Sequence, residues 1–332
     1  MPADAAESRQ RGLLIAPDSF KGTHTAPQVA LAIARGAGAH TPVEVCPLAD
    51  GGEGTTSILV AALGGETLSV PAHDALGRPV DAQLGLLHAG ETAVVDVAGA
   101  SGLALLDPAE LDVERASSTG TGELLAAAAA TGAREVLLAA GGSATTDGGA
   151  GAIEALRRAG GLHGARLTIL ADVRTPFERA AEIFAPQKGA DAAAVARLSA
   201  RLDTYAQELP RDPRGRPMTG AAGGLAGGLW AAYGARLAPG AQWILDAVGF
   251  SQRLRRASAV ISGEGRIDAQ TLEGKVLCEV ARRGHAAGVP VHAVAGSCAL
   301  EPAALASLGL ASVRLASTIE QLEQAGRELA GG

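Results

Sequence analysis

The N-terminal part of the chain alternates between short apolar runs and helical patterns. Residues 13–20 and 43–48 have the composition of buried strands, whereas residues 26–36 and 55–63 have helical patterns. Pro27 lies in the first turn of the first helix, a position that favours proline. Strands that alternate with helices are typical of a parallel sheet covered by helices. We therefore expect a parallel α/β sheet to begin near residue 13.

The middle of the chain has a different pattern. From residue 67 onward, three strand-like runs follow one another with turns but no helix between them: 67–72, 81–87 and 92–97. This spacing predicts an antiparallel meander. Helical and strand patterns then alternate again, so we predict an inserted mixed α/β domain over residues 67–253.

Buried-strand patterns return near the C-terminus at 257–262, 290–295 and 311–316. The simplest interpretation is that these strands join the N-terminal sheet. Residues 1–66 and 254–332 would then form one discontinuous parallel domain. A length of 332 residues agrees with two domains.

Composition and charge disfavour several classes of protein. A net charge of −7 and an aromatic content of 2% argue against nucleic-acid binding. Cys46, Cys278 and Cys298 are far apart, which indicates neither a disulfide framework nor a structural zinc site. Residues 1–12 lack the apolar core of a signal peptide, and no long apolar run predicts a membrane span. We expect a reduced cytoplasmic enzyme or binding protein, monomeric or homodimeric, that holds small anions through local Lys, Arg and backbone donors.

The glycine-rich segment 141–149 follows a strand-like run and precedes an amphipathic pattern. This order predicts a strand, a glycine loop and a helix, and the amides of such a loop can approach an anion closely. Ser143, Thr145 and Thr146 supply hydroxyls, and Asp147 is a candidate base. The segment matches neither G-x-x-x-x-G-K-[ST] nor G-x-G-x-x-G. The alternative is a turn whose glycines serve packing only.

Two further polar loops follow the first two predicted strands, at the edge where open α/β sheets bind ligands. Residues 18–22 offer a carboxylate, a hydroxyl and an ammonium, which suit phosphate or carboxylate binding. Residues 50–55 offer Asp50 and Glu53 as oxygen ligands for Mg²⁺. The alternatives are helix-capping turns, with Asp50 as N-cap and Glu53 in the capping-box position.

Polar residues also open the helix predicted after residue 119 and follow the strand that ends near residue 262. Residues 119–123 offer hydroxyls and amides to a ligand. The alternative for this segment is a plain N-cap. In residues 262–275, Arg266 can grip a carboxylate in a fork and Lys275 can act as a point charge on phosphate. The alternative for this segment is a salt-bridged surface loop.

Two other polar positions are weaker candidates. Asp172 belongs to the end of a predicted strand, and Lys188 lies within Gln187-Lys188-Gly189. Lys188 is expected on a solvated surface, with a place in a buried cluster as the alternative. The histidines fit no triad or metal spacing, and no G-x-S-x-G elbow occurs, which disfavours a serine hydrolase.

Several of these segments resemble the motifs of the bacterial glycerate kinase family, of the type that includes glycerate 2-kinases. The similar segments cover nearly the whole chain, in order: 16–22, 49–55, 120–124, 141–149, 186–190, 222–225 and 263–268. The resemblance implies ATP-dependent phosphorylation of D-glycerate with Mg²⁺ to give 2-phosphoglycerate. It also implies two α/β domains flanking a cleft, one with a Rossmann- or flavodoxin-like parallel sheet and one with a mixed sheet that contains the antiparallel meander. Thr146 departs from the family, in which asparagine is common at this position.

The resemblance and the chemistry of the loops suggest a division of roles. ATP phosphates would be held by Gly141, Gly142, Ser143, Thr145 and Gly148. Mg²⁺ would be held by Asp50, Glu53 and Asp268. Glycerate would be bound by Asp18, Ser19, Arg266 and Gln270. Charge on the transferred group would be neutralised by Lys21 and Lys275, and the proton of the acceptor hydroxyl would be taken by Asp147 or Asp172, with Asp268 a further catalytic candidate.

Other functions stay open at this stage. The same residues would serve a kinase that gives 3-phosphoglycerate or acts on another small hydroxy acid. A non-catalytic metabolite-binding protein is disfavoured because the candidate acids are intact. An NAD-dependent dehydrogenase is disfavoured because G-x-G-x-x-G is missing.

Overall fold

The computed structural model describes residues 12–331, so the polar segment before Gly12 lies outside the described residues. The strands are β1 (Gly12–Ile15), β2 (Val43–Val45), β3 (Glu66–His73), β4 (Pro79–Leu87), β5 (Thr92–Asp96), β6 (Glu135–Ala139), β7 (Arg166–Ala171), β8 (Arg236–Pro239), β9 (Ala257–Ile267), β10 (Val291–Cys298) and β11 (Ser312–Leu315). The α-helices are α1 (Ala26–Ala37), α2 (Thr55–Leu63), α3 (Ala98–Ser101), α4 (Thr119–Ala130), α5 (Ala150–Arg158), α6 (Ala180–Phe184), α7 (Ala192–Glu208), α8 (Leu225–Tyr233), α9 (Gly240–Ala247), α10 (Phe250–Leu254), α11 (Val276–Ala287), α12 (Pro302–Ala306) and α13 (Ile319–Ala330). Among these residues no helix is both long and apolar enough to cross a membrane.

The chain divides into two compact units, and each contains one sheet. The first, called the parallel unit, ends at Ala49 and resumes at Ala241; the second, called the mixed unit, is Asp50–Gly240. These boundaries differ from the predicted ones, 66/67 and 253/254. They differ because long-range packing, which the local pattern does not show, decides where the connecting helices belong.

Helix α2 belongs to the mixed unit because it packs on β4. A Cβ atom at Gly85 of β4 would lie 2.7 Å from Val60 and 2.9 Å from Thr56, both on α2. Helix α9 continues into the parallel unit, where Arg283 of α11 donates to the Gln242 carbonyl (3.3 Å) and pairs with Asp246 (2.7 Å).

The parallel unit is built on the sheet β2-β1-β9-β10-β11, in which every neighbouring pair is parallel. Counted along this unit alone, the strand order is 2-1-3-4-5, the flavodoxin-like order. One face packs against α1 and α13 through Val29, Ile33 and Leu322, and the other packs against α11 through Leu277. The prediction of a Rossmann- or flavodoxin-like parallel sheet is confirmed. The order reverses between β1 and β9, where open α/β sheets bind ligands.

The mixed unit contains the sheet β3-β4-β5-β6-β7-β8. Strands β3, β4 and β5 form antiparallel pairs, and the pairs from β5 to β8 are parallel. The predicted antiparallel meander and mixed sheet are therefore confirmed. Its core is made mainly of small and branched side chains from the sheet, α4, α5 and α8, for example Leu124, Leu138, Ile153 and Leu229.

Strand β9 is longer than predicted. It continues through Gly263, Glu264 and Arg266, which the sequence placed in a loop, and the last two pair with Ala295 and Ser297 of β10. A Cβ atom at Gly263 would lie 2.1 Å from the Val294 carbonyl oxygen, so glycine here allows a close strand approach. This glycine therefore marks a tightly paired strand and not the start of a loop.

Candidate functional site

In the parallel unit, two predicted site segments lie side by side at the reversal of strand order. The Asp18 amide donates to the Gly263 carbonyl (2.8 Å), and the Ser262 hydroxyl donates to the Ala16 carbonyl (2.8 Å). A Cβ atom at Gly265 would lie 3.1 Å from the Cα atom of Phe20, so the chain after β1 passes directly over β9. Residues 18–22 and 263–268, widely separated in sequence, therefore meet where a ligand is expected.

The side chains at this edge differ in exposure. Asp18 is buried and accepts from the Ser19 amide (2.6 Å), whereas Lys21 is exposed. The Glu264 carboxylate is buried, and its Oε2 atom lies 4.0 Å from Nζ of Lys275, which is mostly buried too. The sequence did not single out Glu264, because its burial depends on the extension of β9.

Beyond β9, Arg266 extends towards solvent while Asp268 is used in a cap. Nε of Arg266 lies 3.6 Å from Oδ2 of Asp268, and the Arg266 side chain is 67% exposed. Oδ1 of Asp268 accepts from the Gln270 amide (3.0 Å), and the Asp268 amide donates to the Thr271 hydroxyl (3.0 Å). The carboxylate thus begins the 3₁₀ turn Ala269–Glu273. Arg266 keeps a guanidinium face for a ligand, and Gln270 contributes its amide here with its side chain exposed.

In the mixed unit, the loop of Asp50 and Glu53 adjoins the glycine loop. The Gly141 amide donates to the Gly51 carbonyl (3.1 Å), and a Cβ atom at Gly141 would lie 2.5 Å from the Cα atom of Gly52. Asp50 is buried with its carboxylate over Gly52, whereas Glu53 is exposed. The structure therefore brings two of the three predicted metal ligands, Asp50 and Glu53, next to the start of the predicted phosphate loop.

Asp96, at the end of β5, takes the capping role that the sequence offered to Asp50. Its carboxylate accepts from the Gly54 amide (2.9 Å) and from the Thr56 amide and hydroxyl (3.0 and 2.8 Å) at the start of α2. Burial raises the pKa of Asp96 to about 6, against the effect of these hydrogen bonds. The sequence did not single out Asp96, although a carboxylate at the end of an apolar strand was the available signal. Because Asp96 makes the cap, Asp50 and Glu53 are not needed for it.

The carboxylates of Asp50 and Glu53 suit a metal ion that is bound together with a phosphate ligand. Within residues 12–331, no three or more His, Cys, Asp and Glu side chains form a group that could hold a metal ion. Mg²⁺ is commonly bound by one or two carboxylates together with substrate phosphates. Asp50 and Glu53 fit this mode. Asp268 is in the other unit and is already engaged with the Gln270 amide and Arg266.

Many amides of the glycine loop are already hydrogen-bonded to other groups of the protein. Amides with a protein acceptor belong to Gly141, Ala144, Thr145, Gly148 and Gly149. The Ser143 hydroxyl accepts from the Thr145 amide (3.0 Å) and lies 3.0 Å from the Thr145 hydroxyl. A cradle built on the Gly141, Thr145 and Gly148 amides therefore needs correction, since they are already bonded. The Gly142, Ser143, Thr146 and Asp147 amides have no acceptor among residues 12–331.

The second half of the loop also supports the packing alternative. Gly148 has a φ of +66°, and a Cβ atom there would lie 2.9 Å from the Tyr205 ring and 3.0 Å from the Phe177 ring. Hydrogen bonds of the Asp147 carboxylate link the N-terminus of α5 to the N-terminus of α4. Its carboxylate accepts from the Ser118 amide (2.9 Å) and hydroxyl (2.8 Å), and from the amides of Gly149 and Gly151 (3.1 and 3.2 Å). Four donors on one carboxylate favour a structural role for Asp147 over that of a base.

Lys188 lies in the buried cluster that the sequence offered only as the alternative. It is 2% exposed, and its Nζ atom donates to the Thr145 carbonyl (2.5 Å) in the glycine loop. Burial lowers the pKa of Lys188 to about 7, and the Asp147 carboxylate opposes this decrease. A Cβ atom at Gly223 would lie 2.0 Å from the same carbonyl oxygen. Segments 186–190 and 222–225 thus converge on the glycine loop.

The segment that opens α4 has a packing role. The Thr121 hydroxyl donates to the Ser101 hydroxyl (2.8 Å), and the Glu123 carboxylate binds the amide (2.9 Å) and ring (2.9 Å) of His73. These contacts join α4 to β3 and α3. Asp172 follows β7 and is partly buried, at the edge of the sheet where β6 leads into the glycine loop.

Comparison with known proteins identifies the family. The family model for the glycerate kinase family matches residues 13–161 and 157–331. The chain belongs to the glycerate kinase family. A glycerate kinase from Halalkalibacterium halodurans is 37% identical over 323 residues, which cover 86% of this chain and 85% of the relative. A glycerate 2-kinase from Escherichia coli K12 is 34% identical over 324 residues, which cover 86% of this chain and 85% of that relative.

A solved structure agrees. The crystal structure of a candidate glycerate kinase 2 from Salmonella typhimurium LT2 superposes on this chain with a TM-score of 0.79 and 32% sequence identity. The match covers 96% of this chain and 97% of the Salmonella chain. This glycerate kinase family member is therefore an enzyme, a kinase, and the predicted resemblance is confirmed.

Proposed function

We propose that this protein transfers the γ-phosphoryl group of ATP to D-glycerate and that the product is 2-phospho-D-glycerate. The observation that carries the proposal is the family match, which extends from residue 13 to residue 331 and so includes both units. Support for the 2-position comes from the E. coli relative, whose name is glycerate 2-kinase. Phosphoryl transfer depends on positioning and charge neutralisation, and each unit offers groups of that kind.

The parallel unit offers groups for the acid and for the transferred phosphoryl group. The exposed Arg266 guanidinium suits a two-point grip on the glycerate carboxylate. Asp18 and Ser19, at the reversal of strand order, would bind the hydroxyls, and Gln270 would be a further ligand of glycerate. Lys21 and Lys275 would neutralise the charge that spreads over the phosphoryl oxygens. Asp268 would hold Arg266 in place and stays a catalytic candidate.

The mixed unit offers groups for the nucleotide. The amides of Gly142 and Ser143, which lack an acceptor in the described part of the chain, lie beside the Asp50 loop and suit phosphate oxygens. Asp50 and Glu53 would hold Mg²⁺ directly or through water, and the bound ion would supply neutralisation of phosphate charge. Because Asp147 is bonded to four donors, we assign acceptance of the hydroxyl proton to Asp172.

A substrate panel tests the proposal. Purified protein with ATP and Mg²⁺ would be offered D-glycerate, L-glycerate, D-lactate and glycerol, with ADP formation as the readout. D-Lactate lacks the 3-hydroxyl and glycerol lacks the carboxylate, so each removes one proposed contact. We expect the highest kcat/KM with D-glycerate and negligible turnover of glycerol. A higher kcat/KM with another acid, or no ADP with any of them, would contradict the proposal.

A further inference from the structure

A buried carboxylate lies close to a mostly buried ammonium group in the parallel unit. Oε2 of Glu264, on β9, is 4.0 Å from Nζ of Lys275, the N-cap residue of α11. The Glu264 side chain is 8% exposed and the Lys275 side chain is 19% exposed. Glutamate and lysine are rarely buried to this extent unless they are paired, because removing a charge from water is unfavourable. Each of these two groups therefore offsets the burial cost of the other.

The pair lies at the edge of the sheet that the proposed function assigns to the substrate. Gly265, the residue after Glu264, passes close to the chain that follows β1. A Cβ atom at Gly265 would lie 3.1 Å from the Cα atom of Phe20 and 3.3 Å from the amide nitrogen of Lys21. The strand then continues to Arg266, the residue proposed to grip the carboxylate of glycerate. The carboxylate of Glu264 is therefore built into the candidate site and not into a remote part of the unit.

The ammonium group of Lys275 keeps its donors for a ligand. The distance of 4.0 Å to Glu264 is too long for a hydrogen bond, and Nζ has no other acceptor within residues 12–331. A lysine ammonium has three donors that need acceptors. The N-terminus of a helix is also the positive end of its dipole, where an anion is stabilised and a cation is not. An anionic ligand would therefore satisfy both the ammonium group and the start of α11.

We propose that Glu264 is a positioning residue, whose carboxylate keeps the Lys275 ammonium group in place to meet the transferred phosphoryl group. The attraction between opposite charges at this separation restrains the ammonium group without using one of its donors. A flexible lysine side chain would otherwise have to be ordered when the ligand binds, which costs conformational entropy. The identity of the ligand as a phosphoryl group rests on the proposed function. The pairing of Glu264 with Lys275 does not.

The first test probes Lys275 in the absence of substrate. Acetic anhydride acetylates neutral amines, and mass spectrometry of the digested protein gives the rate for Nζ of Lys275. Glu264→Gln removes the carboxylate that stabilises the charged amine, so we expect the labelling of Lys275 to become at least about fivefold faster. The matched control is Asp74→Asn, since Asp74 is also a buried acid paired with a cation, Arg78 (2.6 Å), but it belongs to the mixed unit. This control should leave the labelling rate of Lys275 unchanged.

The second test is a double-mutant cycle on kcat. Glu264→Gln and Lys275→Met should each lower kcat about tenfold, and the double variant should be no slower than Lys275→Met alone, because Glu264 acts through Lys275. A purely structural role would instead lower the melting temperature in either background. A loss of kcat on adding Glu264→Gln to Lys275→Met, as large as the loss that Glu264→Gln causes alone, would overturn the inference.

The labelling experiment separates this inference from the proposed function. An unchanged labelling rate for Lys275 in Glu264→Gln would overturn the inference, even if glycerate is phosphorylated normally. Faster labelling in a protein that phosphorylates no glycerate would support the pairing and refute the proposed function. If Glu264→Gln does not fold, Glu264→Asp decides, since it withdraws the charge from Nζ by one methylene group. Labelling of Lys275 should again be faster than in the wild type, and an equal rate would overturn the inference.

Discussion

Replacement of Lys188 by methionine should stabilise the protein in mild acid and destabilise it in base. Burial lowers the pKa of Lys188 from 10.5 to about 7. That difference of about 3.5 in pKa corresponds to about 5 kcal/mol against the charged form in the folded protein. Methionine has a similar length and no charge, so it removes this penalty. It also leaves the Thr145 carbonyl without its donor, at a cost of about 1–3 kcal/mol.

The direction of the pH dependence follows from proton binding. Between pH 7 and 10.5 the unfolded chain carries a proton on Lys188 that the folded protein does not, so the free energy of unfolding of the wild type rises with pH. Below pH 7 both states are protonated and the full penalty applies. Lys188→Met should therefore be more stable than the wild type by about 2–4 kcal/mol at pH 6. At pH 10 it should be less stable by up to about 2 kcal/mol, because most of the unfolded wild-type chain is still protonated on Lys188 there and folding still carries a penalty of about 1 kcal/mol.

Urea unfolding followed by circular dichroism at both pH values measures this difference. Because all other groups titrate equally in the two proteins, only the variant-minus-wild-type difference is interpreted. Arg197→Met is a control, since Arg197 is exposed and its loss should change the difference little with pH. A Lys188→Met variant that is less stable by the same amount at both pH values would refute the reasoning, because the ammonium would then carry no burial penalty.

Three further variants test the candidate site and its packing. Arg266→Lys should raise KM for glycerate about tenfold with little change in KM for ATP, because a planar fork is replaced by a point charge; equal effects on both would remove the carboxylate clamp. Asp268→Asn should lower kcat at least about tenfold with an unchanged melting temperature, because asparagine still caps the turn. The control is Asp107→Asn, since the Asp107 carboxylate caps a turn in the same way by accepting from the Ala109 amide (2.8 Å). This variant should leave kcat unchanged. Gly223→Ala should lower stability by about 2 kcal/mol more than Gly215→Ala. Both glycines have a similar positive φ (+65° and +67°), but only the first would place a Cβ atom against the loop carbonyl, so equal losses would refute the close contact.

The regular elements were predictable because they depend on local periodicity. The limits of α2 were predicted as observed, and the β3–β5 meander was predicted to within a residue or two at each end. Helix α8 and strand β8 were not predicted, because the Ala- and Gly-rich sequence of α8 has no clear polar face. The second half of β9 was also not predicted, because its glycines indicate a loop in the sequence. Only the structure shows that they allow the close approach of the neighbouring strand.

The site was predictable where it follows strand ends and not where it depends on distant contacts. Asp18, Asp50 and Arg266 were predicted as site residues because polar residues after an apolar run are typical of the ligand edge of a sheet. The roles of Asp96 and Lys188 depend on partners 40 or more residues away, to which no local pattern points. Asp147 was assigned to chemistry from its place in the glycine loop, although its carboxylate is bonded to the ends of two helices.

The most direct test of the account is the position of the phosphate in the product. The protein would be incubated with ATP, Mg²⁺ and D-glycerate, and the product examined by two-dimensional NMR that correlates phosphorus with protons. We predict a single phosphomonoester signal coupled to the proton on C2. Coupling to the two protons on C3, or the absence of any new phosphomonoester, would contradict the proposal that this chain is a glycerate 2-kinase.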